Sequence, residues 1–321
     1  MVALVLAYDM RAPEFGTPAP ELYAAALDQC EWGDKLGFDQ VAFMEHHATS
    51  DGYLPSPIVM AAAAAGRTRK MLIGVGVMLL PLYDPLKAAE DLAVLDLVSG
   101  GRLRLIVGAG YRDSEYEQFG LKLKKRPSLM ERGIETLKKA WTGEPFEYEG
   151  RMVRILPRPA QRPRPDIVMG GSSKAAAERA ARIADGYRPV SPALFEDYRE
   201  ALAAMGKPVP EPLPLLKRYF HLQVTHDPEG DWKKIAPHVL HENNSYAEWL
   251  LGAPYPAYVH VDNADELRAS GAVKVLTPDE CVALAKAEGY LAFKPLSGGL
   301  DPALAWESLK LFEREVLPRI R

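Results

Sequence analysis

Cysteine is scarce in this chain, and it has no long hydrophobic segment. The two cysteines among 321 residues, Cys30 and Cys281, lie far apart, which excludes a disulfide framework and indicates a reducing compartment. The longest strongly apolar run, 73–83, contains Pro81 and is too short to cross a membrane as a helix. The first residues lack a basic segment, which favours a first strand over a signal peptide. We therefore expect a cytoplasmic protein that does not enter a membrane.

Clusters of positive charge are missing too. The chain has 39 Lys and Arg against 43 Asp and Glu, and its one basic stretch, 122–126, is typical of a solvated loop. Binding to nucleic acid is therefore not expected. Histidines in metal-binding spacing are also missing, and the adjacent His46 and His47 would point to opposite faces of a strand. We expect no metal site.

Strand and helix patterns alternate along the chain. Short apolar runs predict eight strands, at 2–8, 40–44, 71–77, 103–107, 166–169, 188–190, 217–225 and 290–295. Helical spacing predicts helices at 19–36, 57–67, 84–98, 128–141, 174–184, 195–205 and 302–317. Eight such βα units favour a single (β/α)8 TIM barrel domain over 1–321. The alternative is a doubly wound open sheet with a small second domain.

The segment 226–290 does not fit a simple βα unit. We predict it to be a mostly helical insertion before the last strand, of the kind that covers a site. Within it, His238 and His241 lie three residues apart on a predicted helix and share a face. Ordinary helix packing explains them better than catalysis, although a role in shaping a substrate pocket stays open.

A carboxylate and two imidazoles follow the second predicted strand as Glu45-His46-His47. Barrel enzymes place their chemistry at the carboxyl ends of strands, and histidine transfers protons near neutral pH. The alternative is a pair of core or loop histidines that bond to backbone carbonyls. We favour a proton-handling site.

Small residues lie within or directly after three other predicted strands. The turn Gly170-Gly171-Ser172-Ser173 opens a helix, where free N–H groups can hold an anion such as a phosphate. The segment Gly108-Ala109-Gly110-Tyr111-Arg112 leaves room for a flat ring, beside an aromatic side chain and a cation. Glycines in Gly74-Val75-Gly76-Val77 mark the close approach of a ligand or of another backbone. An ordinary capped turn and a plain loop are the alternatives for the first two segments.

Together these motifs resemble the bacterial luciferase-like flavin monooxygenases, over nearly the whole chain and most weakly across 206–275. The resemblance rests on Glu45-His46-His47, Leu97-Val98-Ser99-Gly100-Gly101-Arg102-Leu103, Gly108-Ala109-Gly110-Tyr111-Arg112, Pro163-Arg164-Pro165-Asp166-Ile167-Val168-Met169-Gly170-Gly171-Ser172-Ser173, Ala184-Asp185-Gly186 and Gly298-Gly299-Leu300-Asp301-Pro302. No single motif is decisive, but their number and order are specific.

The resemblance implies a (β/α)8 barrel that takes reduced flavin as a diffusible cosubstrate. FMN members of the family activate dioxygen, and members that use the deazaflavin F420 move hydride. By position, Glu45 and His46 would line the flavin site, with His46 as the acid/base, and 170–173 would hold the phosphate. A non-proline cis peptide is expected near 76–78. Luciferase has an arginine where this chain has Ala109, and Arg112 is a candidate substitute.

We therefore predict a flavin-dependent oxidoreductase, specifically a monooxygenase that uses reduced FMN and dioxygen on a small organic substrate. Its catalytic residues would be His46 and Glu45. Its cofactor-binding residues would be Gly76, Val77, Gly108, Ala109, Tyr111, Arg112, Gly170, Gly171, Ser172 and Ser173. A separate flavin reductase and a homodimer are expected by analogy with the family. The alternatives are an F420-dependent hydride-transfer enzyme and a non-catalytic flavin-binding relative.

Overall fold

A computed structural model gives the fold and describes residues 2–211, 219–253 and 256–321. The strands are β1 (Ala3–Tyr8), β2 (Gln40–Phe43), β3 (Leu72–Met78), β4 (Leu103–Val107), β5 (Phe146–Tyr148), β6 (Arg151–Val153), β7 (Ile167–Gly171), β8 (Gly186–Pro189), β9 (His221–Val224), β10 (Val273–Leu276) and β11 (Tyr290–Phe293). The helices are α1 (Ala19–Leu36), α2 (Pro57–Arg67), α3 (Pro85–Ser99), α4 (Asp113–Gln118), α5 (Arg126–Ala140), α6 (Lys174–Ile183), α7 (Pro192–Ala204), α8 (Pro228–Trp249), α9 (Ala264–Ser270), α10 (Pro278–Glu288), α11 (Pro302–Leu311) and α12 (Leu317–Ile320).

A curled parallel sheet of seven strands organises the molecule, in the order β11-β1-β2-β3-β4-β7-β8. The side chains that alternate along one face of these strands form the main core with the surrounding helices. The central members of that core are Leu6, Val41, Ile73, Leu105 and Ile167. Consecutive βα units lie side by side, without the reversal of strand order that defines a doubly wound sheet. The doubly wound arrangement is therefore wrong, and all the strands of this parallel sheet point their carboxyl ends to one edge.

The predicted closed barrel is not observed in the described residues. β9 pairs in parallel with β10 instead of entering the seven-stranded sheet. It lies beside β11 through side-chain contacts: the Ala292 N–H donates to the Tyr219 hydroxyl (3.0 Å), and His221 Nδ1 donates to the Lys294 carbonyl (3.2 Å). The sequence pattern did not predict this pairing, because β10, the strand that pairs with β9, lies within the segment that was predicted to be mostly helical. Residues 217–218 of the predicted strand 217–225 lie outside the described residues.

The segment 226–290 contains α8, α9, β10 and α10, so it is mostly helical as predicted, with one unpredicted strand. The helix α8 packs across the carboxyl ends of the main sheet. The Tyr246 and Tyr53 hydroxyls are 2.7 Å apart, and His241 Nε2 donates to Asp51 Oδ2 at 2.9 Å. His238 donates to the Gly298 carbonyl at 2.8 Å. Both histidines therefore connect α8 to the loops at the carboxyl edge of the sheet, which agrees with the prediction that they serve helix packing.

A network of buried charges lies between β1, β11 and α8. The Lys294 ammonium donates to Asp9 Oδ2 at 2.6 Å and also to Glu242 of α8. The Arg11 guanidinium lies 3.2 Å from Asp9 and donates to Asp51. Burial by itself lowers the pKa of Lys294, but its two carboxylate partners outweigh burial and raise that pKa well above its usual range. These ion pairs connect α8 to the residues that follow β1 and β11. In a (β/α)8 barrel the corresponding interior is ordinarily filled by apolar side chains.

None of the helices in the described ranges is long and apolar enough to span a membrane.

Candidate active site

A buried histidine–carboxylate pair stands where β2 ends. His46 Nδ1 donates to Glu115 Oε1 at 2.7 Å, and the same oxygen accepts the His47 backbone N–H at 3.0 Å. His46 is 6% exposed and Glu115 is completely buried. Glu115 comes from α4, a short helix that the sequence pattern did not predict. Chain segments about seventy residues apart are thus joined at one carboxylate.

The electrostatics of the pair define its protonation. Burial lowers the pKa of His46, and Glu115 opposes this shift only in part. Burial alone would raise the pKa of Glu115, but its bonds to His46 and to the His47 N–H leave that pKa below its usual value. At neutral pH the pair is therefore a neutral imidazole beside a carboxylate. Because Nδ1 carries the proton, Nε2 has a free electron pair, which accepts a hydrogen bond from the Tyr111 hydroxyl at 3.2 Å.

Aromatic rings enclose the His46 imidazole. The ring centroids of Tyr53 and Trp249 lie 4.9 Å from it, and those of Tyr111 and Tyr246 lie 5.5 and 5.8 Å from it. Such a setting excludes water and strengthens electrostatic interactions. A substrate reaches Nε2 only when one of these rings moves, and Tyr111 is the most exposed of them at 38%.

Glu45 and His47 bond to each other and to residues that follow β3. Glu45 Oε1 accepts from His47 Nε2 at 2.7 Å and from the Tyr83 hydroxyl at 3.1 Å, while Oε2 accepts the Leu79 N–H at 3.0 Å. Burial raises the pKa of Glu45. These bonds connect the end of β2 to the backbone that follows β3. They support a positioning role for both side chains, and catalysis by Glu45 stays a prediction.

Three of the predicted cofactor residues converge at the ends of neighbouring strands. A Cβ atom at Gly108 would lie 2.3 Å from a γ-carbon of Val77, and one at Gly170 would lie 3.7 Å from both γ-carbons. The peptide between Gly76 and Val77 is cis, as the resemblance implies. Val77 is 38% exposed although most of β3 is buried. Glycines thus leave a flat apolar floor with Val77 at its centre.

The turn after β7 has the features of an anion site. Ser173 caps α6, because its Oγ accepts the Ala176 N–H at 3.3 Å, and Ser172 is exposed. The first N–H groups of a helix have no partner within it and attract negative charge. Gly171 lies directly before this turn. A Cβ there would lie 2.7 Å from the Ala176 Cβ, so the strand can approach the helix this closely only with glycine.

The loop after β4 contacts the residues around His46. The Ala109 carbonyl accepts a hydrogen bond from the Tyr116 hydroxyl. Arg112 Nη1 donates to the His47 carbonyl at 2.7 Å and lies 3.4 Å from Glu115 Oε1. Its guanidinium also lies over the Trp249 ring, 4.2 Å from the centroid. Arg112 is thus held beside the histidines, and its proposed substitution for the luciferase arginine stays a prediction.

Together these residues fit a flavin. The glycine-lined floor around Val77 suits a planar ring, the turn before α6 suits a phosphate, and His46 lies at the same edge of the sheet with a free electron pair. In the described ranges, no group of three or more His, Cys, Asp or Glu side chains is arranged to hold a metal ion. Sequence reasoning did not single out Glu115 or Tyr53, whereas Trp249 lies in the inserted segment for which a role in shaping a substrate pocket stayed open. The one available signal was the spacing of Glu115 three residues after Arg112, which places both on one face of a helix.

The fold and the site define a parallel α/β enzyme with its chemistry at the carboxyl edge of the sheet. The chain belongs to the luciferase-like monooxygenase family, whose model matches residues 7–283. It is 31% identical to the FMNH2-dependent dimethylsulfone monooxygenase of Pseudomonas putida, over 48% of this chain and 44% of that protein. The chain spans about half the length of the curated relatives it matches.

Solved structures share the fold over the whole chain. The monooxygenase RslO1 from Streptomyces bottropensis has a TM-score of 0.74 and 25% identity, with 99% of this chain and 100% of that chain covered. An F420-dependent secondary alcohol dehydrogenase has a TM-score of 0.65 and 17% identity, with both chains covered at 100%. This second likeness concerns the fold alone.

Proposed function

We propose that this protein is a flavin-dependent monooxygenase that uses reduced FMN and dioxygen to oxidise a small organic substrate. The observation that carries the proposal is the buried Glu115–His46 pair, at the same sheet edge as the glycine-lined floor. A non-catalytic flavin carrier would need the floor and the anion turn but would have no use for a buried histidine–carboxylate pair whose second imidazole nitrogen bonds only to the hydroxyl of the half-exposed Tyr111.

Each group of site residues has a role that follows from its position. Val77, Gly108 and Gly170 would lie against the ring, and the turn 171–173 would hold the phosphate. Bound reduced flavin supplies the electrons and the reactivity toward dioxygen. His46 takes a proton at Nε2 and returns it, while Glu115 stabilises the imidazolium at Nδ1. The aromatic enclosure keeps water away from the reacting atoms.

F420 is the second candidate cofactor, and one observation favours it. Luciferase places an arginine where this chain has Ala109, so a cationic contact to the FMN phosphate is not available from that position. The dimethylsulfone monooxygenase, whose name specifies FMNH2, supports FMN instead. An F420-dependent member would transfer hydride and would not need dioxygen.

Cofactor binding tests the function directly. We expect the protein to bind reduced FMN with a Kd in the micromolar range, measured anaerobically by flavin fluorescence or by thermal shift. Parallel titrations with oxidised FMN and with F420 decide between the two candidates. Preferential binding of F420 would replace the monooxygenase proposal with hydride transfer, and a failure of all three to bind would contradict a flavin function.

Reduced flavin in solution reacts with oxygen, so a separate flavin reductase would be the natural supplier of the cosubstrate. We also propose a homodimer through α2 and α3, because these two helices pack against each other and each carries exposed apolar side chains. These side chains are Val59 (70% exposed), Val98 (52%), Val94 (47%) and Leu97 (43%). Patches of this kind mark association sites more often than solvated surface.

A charge in this patch should separate the subunits. We expect Val59→Glu to convert a dimer to a monomer in sedimentation equilibrium. Leu251→Glu is the matched control, because Leu251 is 89% exposed and lies in the turn after α8, outside both helices. A monomeric unmodified protein, or a Val59→Glu variant that is still dimeric, would contradict this interface.

A further inference from the structure

A tyrosine hydroxyl is buried without a partner beside the turn that follows β7. Tyr187 lies on β8 and is 6% exposed. Its Oη atom has no hydrogen-bond partner among the described residues. Buried polar groups are nearly always paired, so an orphaned hydroxyl in an otherwise well-packed place requires an explanation.

The position of this hydroxyl is specific. A Cβ at Gly171 would lie 3.0 Å from Tyr187 Oη and 2.7 Å from the Ala176 Cβ. The hydroxyl therefore lies between the last residue of β7 and the first turn of α6. Register agrees with this, since Met169 pairs with Tyr187 and Gly171 pairs with Pro189. The orphaned donor thus lies against Gly171, the last residue of β7, where the chain enters the anion turn.

Packing alone does not account for the oxygen. The Tyr187 ring contacts the Tyr198 ring of α7 with a centroid distance of 5.3 Å, a contact that phenylalanine would make as well. Burial raises the pKa of Tyr187 to about 12, so the group keeps its proton and can donate. A buried donor that stays unpaired weakens the fold, whereas a bond to an anion would be among the stronger hydrogen bonds.

Two other polar side chains at the turn have partners of their own. Ser173 Oγ is occupied by the Ala176 N–H. The Lys174 ammonium is 64% exposed and lies 3.5 Å from Asp197 of α7. The free backbone N–H groups of α6, the exposed Ser172 hydroxyl and the Tyr187 hydroxyl are then the donors at this turn that a ligand can use.

We propose that Tyr187 donates a hydrogen bond to the phosphoryl group of the bound cofactor, and so contributes to the selection of phosphorylated flavin. The inference rests on the proposed function. Its chemistry is common to the phosphate monoester of FMN and the phosphodiester of F420, and the experiment separates the two.

The test compares ligands with and without the phosphoryl group. We expect Tyr187→Phe to raise the Kd for FMN about tenfold and to leave the Kd for riboflavin unchanged, by fluorescence quenching. Tyr198→Phe is the matched control and should change neither value, because that ring packs on Tyr187 without being the orphaned donor. Equal melting temperatures would show that Tyr187→Phe folds normally.

The same pair of measurements is made with F420 and with its ribityl core lacking the phosphodiester. A selective loss for F420 in place of FMN supports the proposal with the second cofactor. An unchanged Kd for both phosphorylated ligands overturns it, as does an equal loss for riboflavin. If the unmodified protein binds no flavin at all, the proposed function fails together with this inference, whereas normal binding of both FMN and F420 by Tyr187→Phe overturns this inference alone.

Discussion

Replacing His46 with alanine is expected to lower turnover by about 10²-fold or more, because a positioned acid/base contributes roughly that factor. Its Nε2 accepts a hydrogen bond from the half-exposed Tyr111, whereas His47 Nε2 is bonded to the buried Glu45. The measurement is substrate-dependent oxygen consumption with reduced FMN supplied by a reductase. Cofactor affinity should change little, because the ring floor and the phosphate turn come from other strands.

The control is His226→Ala, since His226 is an exposed histidine that contacts Glu315 at 3.0 Å. It should retain full turnover. Unchanged turnover in His46→Ala would remove His46 from the mechanism. A loss of FMN binding in parallel with turnover would reassign it to the cofactor site.

The pH profile tests the Glu115–His46 pair itself. Burial lowers the pKa of His46 below its ordinary value of about 6.5, and Glu115 holds it up in part. Proton acceptance therefore works above this lowered pKa and is lost as the pH falls through it. Glu115→Gln removes the supporting charge, so the acid limb of kcat/KM should move to lower pH while turnover falls. An acid limb that stays in place, or moves to higher pH, would contradict the pairing.

Replacing Lys294 with methionine is expected to lower the free energy of unfolding by about 3–5 kcal/mol, because it leaves a buried carboxylate pair without its cation. Asp9 and Glu242 both bond to this ammonium, and all three side chains are almost fully excluded from solvent. Urea unfolding followed by circular dichroism measures the change. Helix α8 should loosen first, since Glu242 is one of its few charged anchors to the barrel end.

The matched control is Lys310→Met. Lys310 lies 2.9 Å from Glu313 but is 47% exposed, so its loss should cost less than about 1 kcal/mol. If the two lysine variants unfold at the same urea concentration, the buried network does not stabilise the fold as described. A second variant, Lys294→Met with Glu242→Leu, should recover part of the loss because it removes one of the stranded charges.

Local sequence patterns were sufficient for the main sheet, and they placed the candidate site residues at the ends of its strands. The predicted strand at 40–44 is β2 at Gln40–Phe43, and the run at 103–107 is β4 within the same bounds. Short apolar runs between helical segments are strong signals because strand and helix bury side chains with different periods. The glycines at 108 and 170 could be recognised for a similar reason, since small residues at a strand end mark close approach.

Long-range partners escaped the same reasoning. In the sequence Glu115 is one of many acidic residues, and nothing near it indicates that α4 brings it into contact with His46. Lys294 is likewise a lysine at a strand end, and its neighbours in sequence do not indicate its contacts with Asp9 and Glu242. Pairing of β9 with β10 was equally invisible, because a short strand shows no preference for one edge over another until the chain has folded.

The amino-acid order of this protein determined the parallel βα architecture, its family and the strand ends that carry chemistry, because these follow from local periodicity and from motifs a few residues long. Tertiary structure alone decided that His46 bonds to Glu115 at one nitrogen and to Tyr111 at the other, and that the Tyr187 hydroxyl lies against Gly171. Each of these depends on contacts between segments that are distant in sequence, and burial of those contacts sets the charge and the proton position.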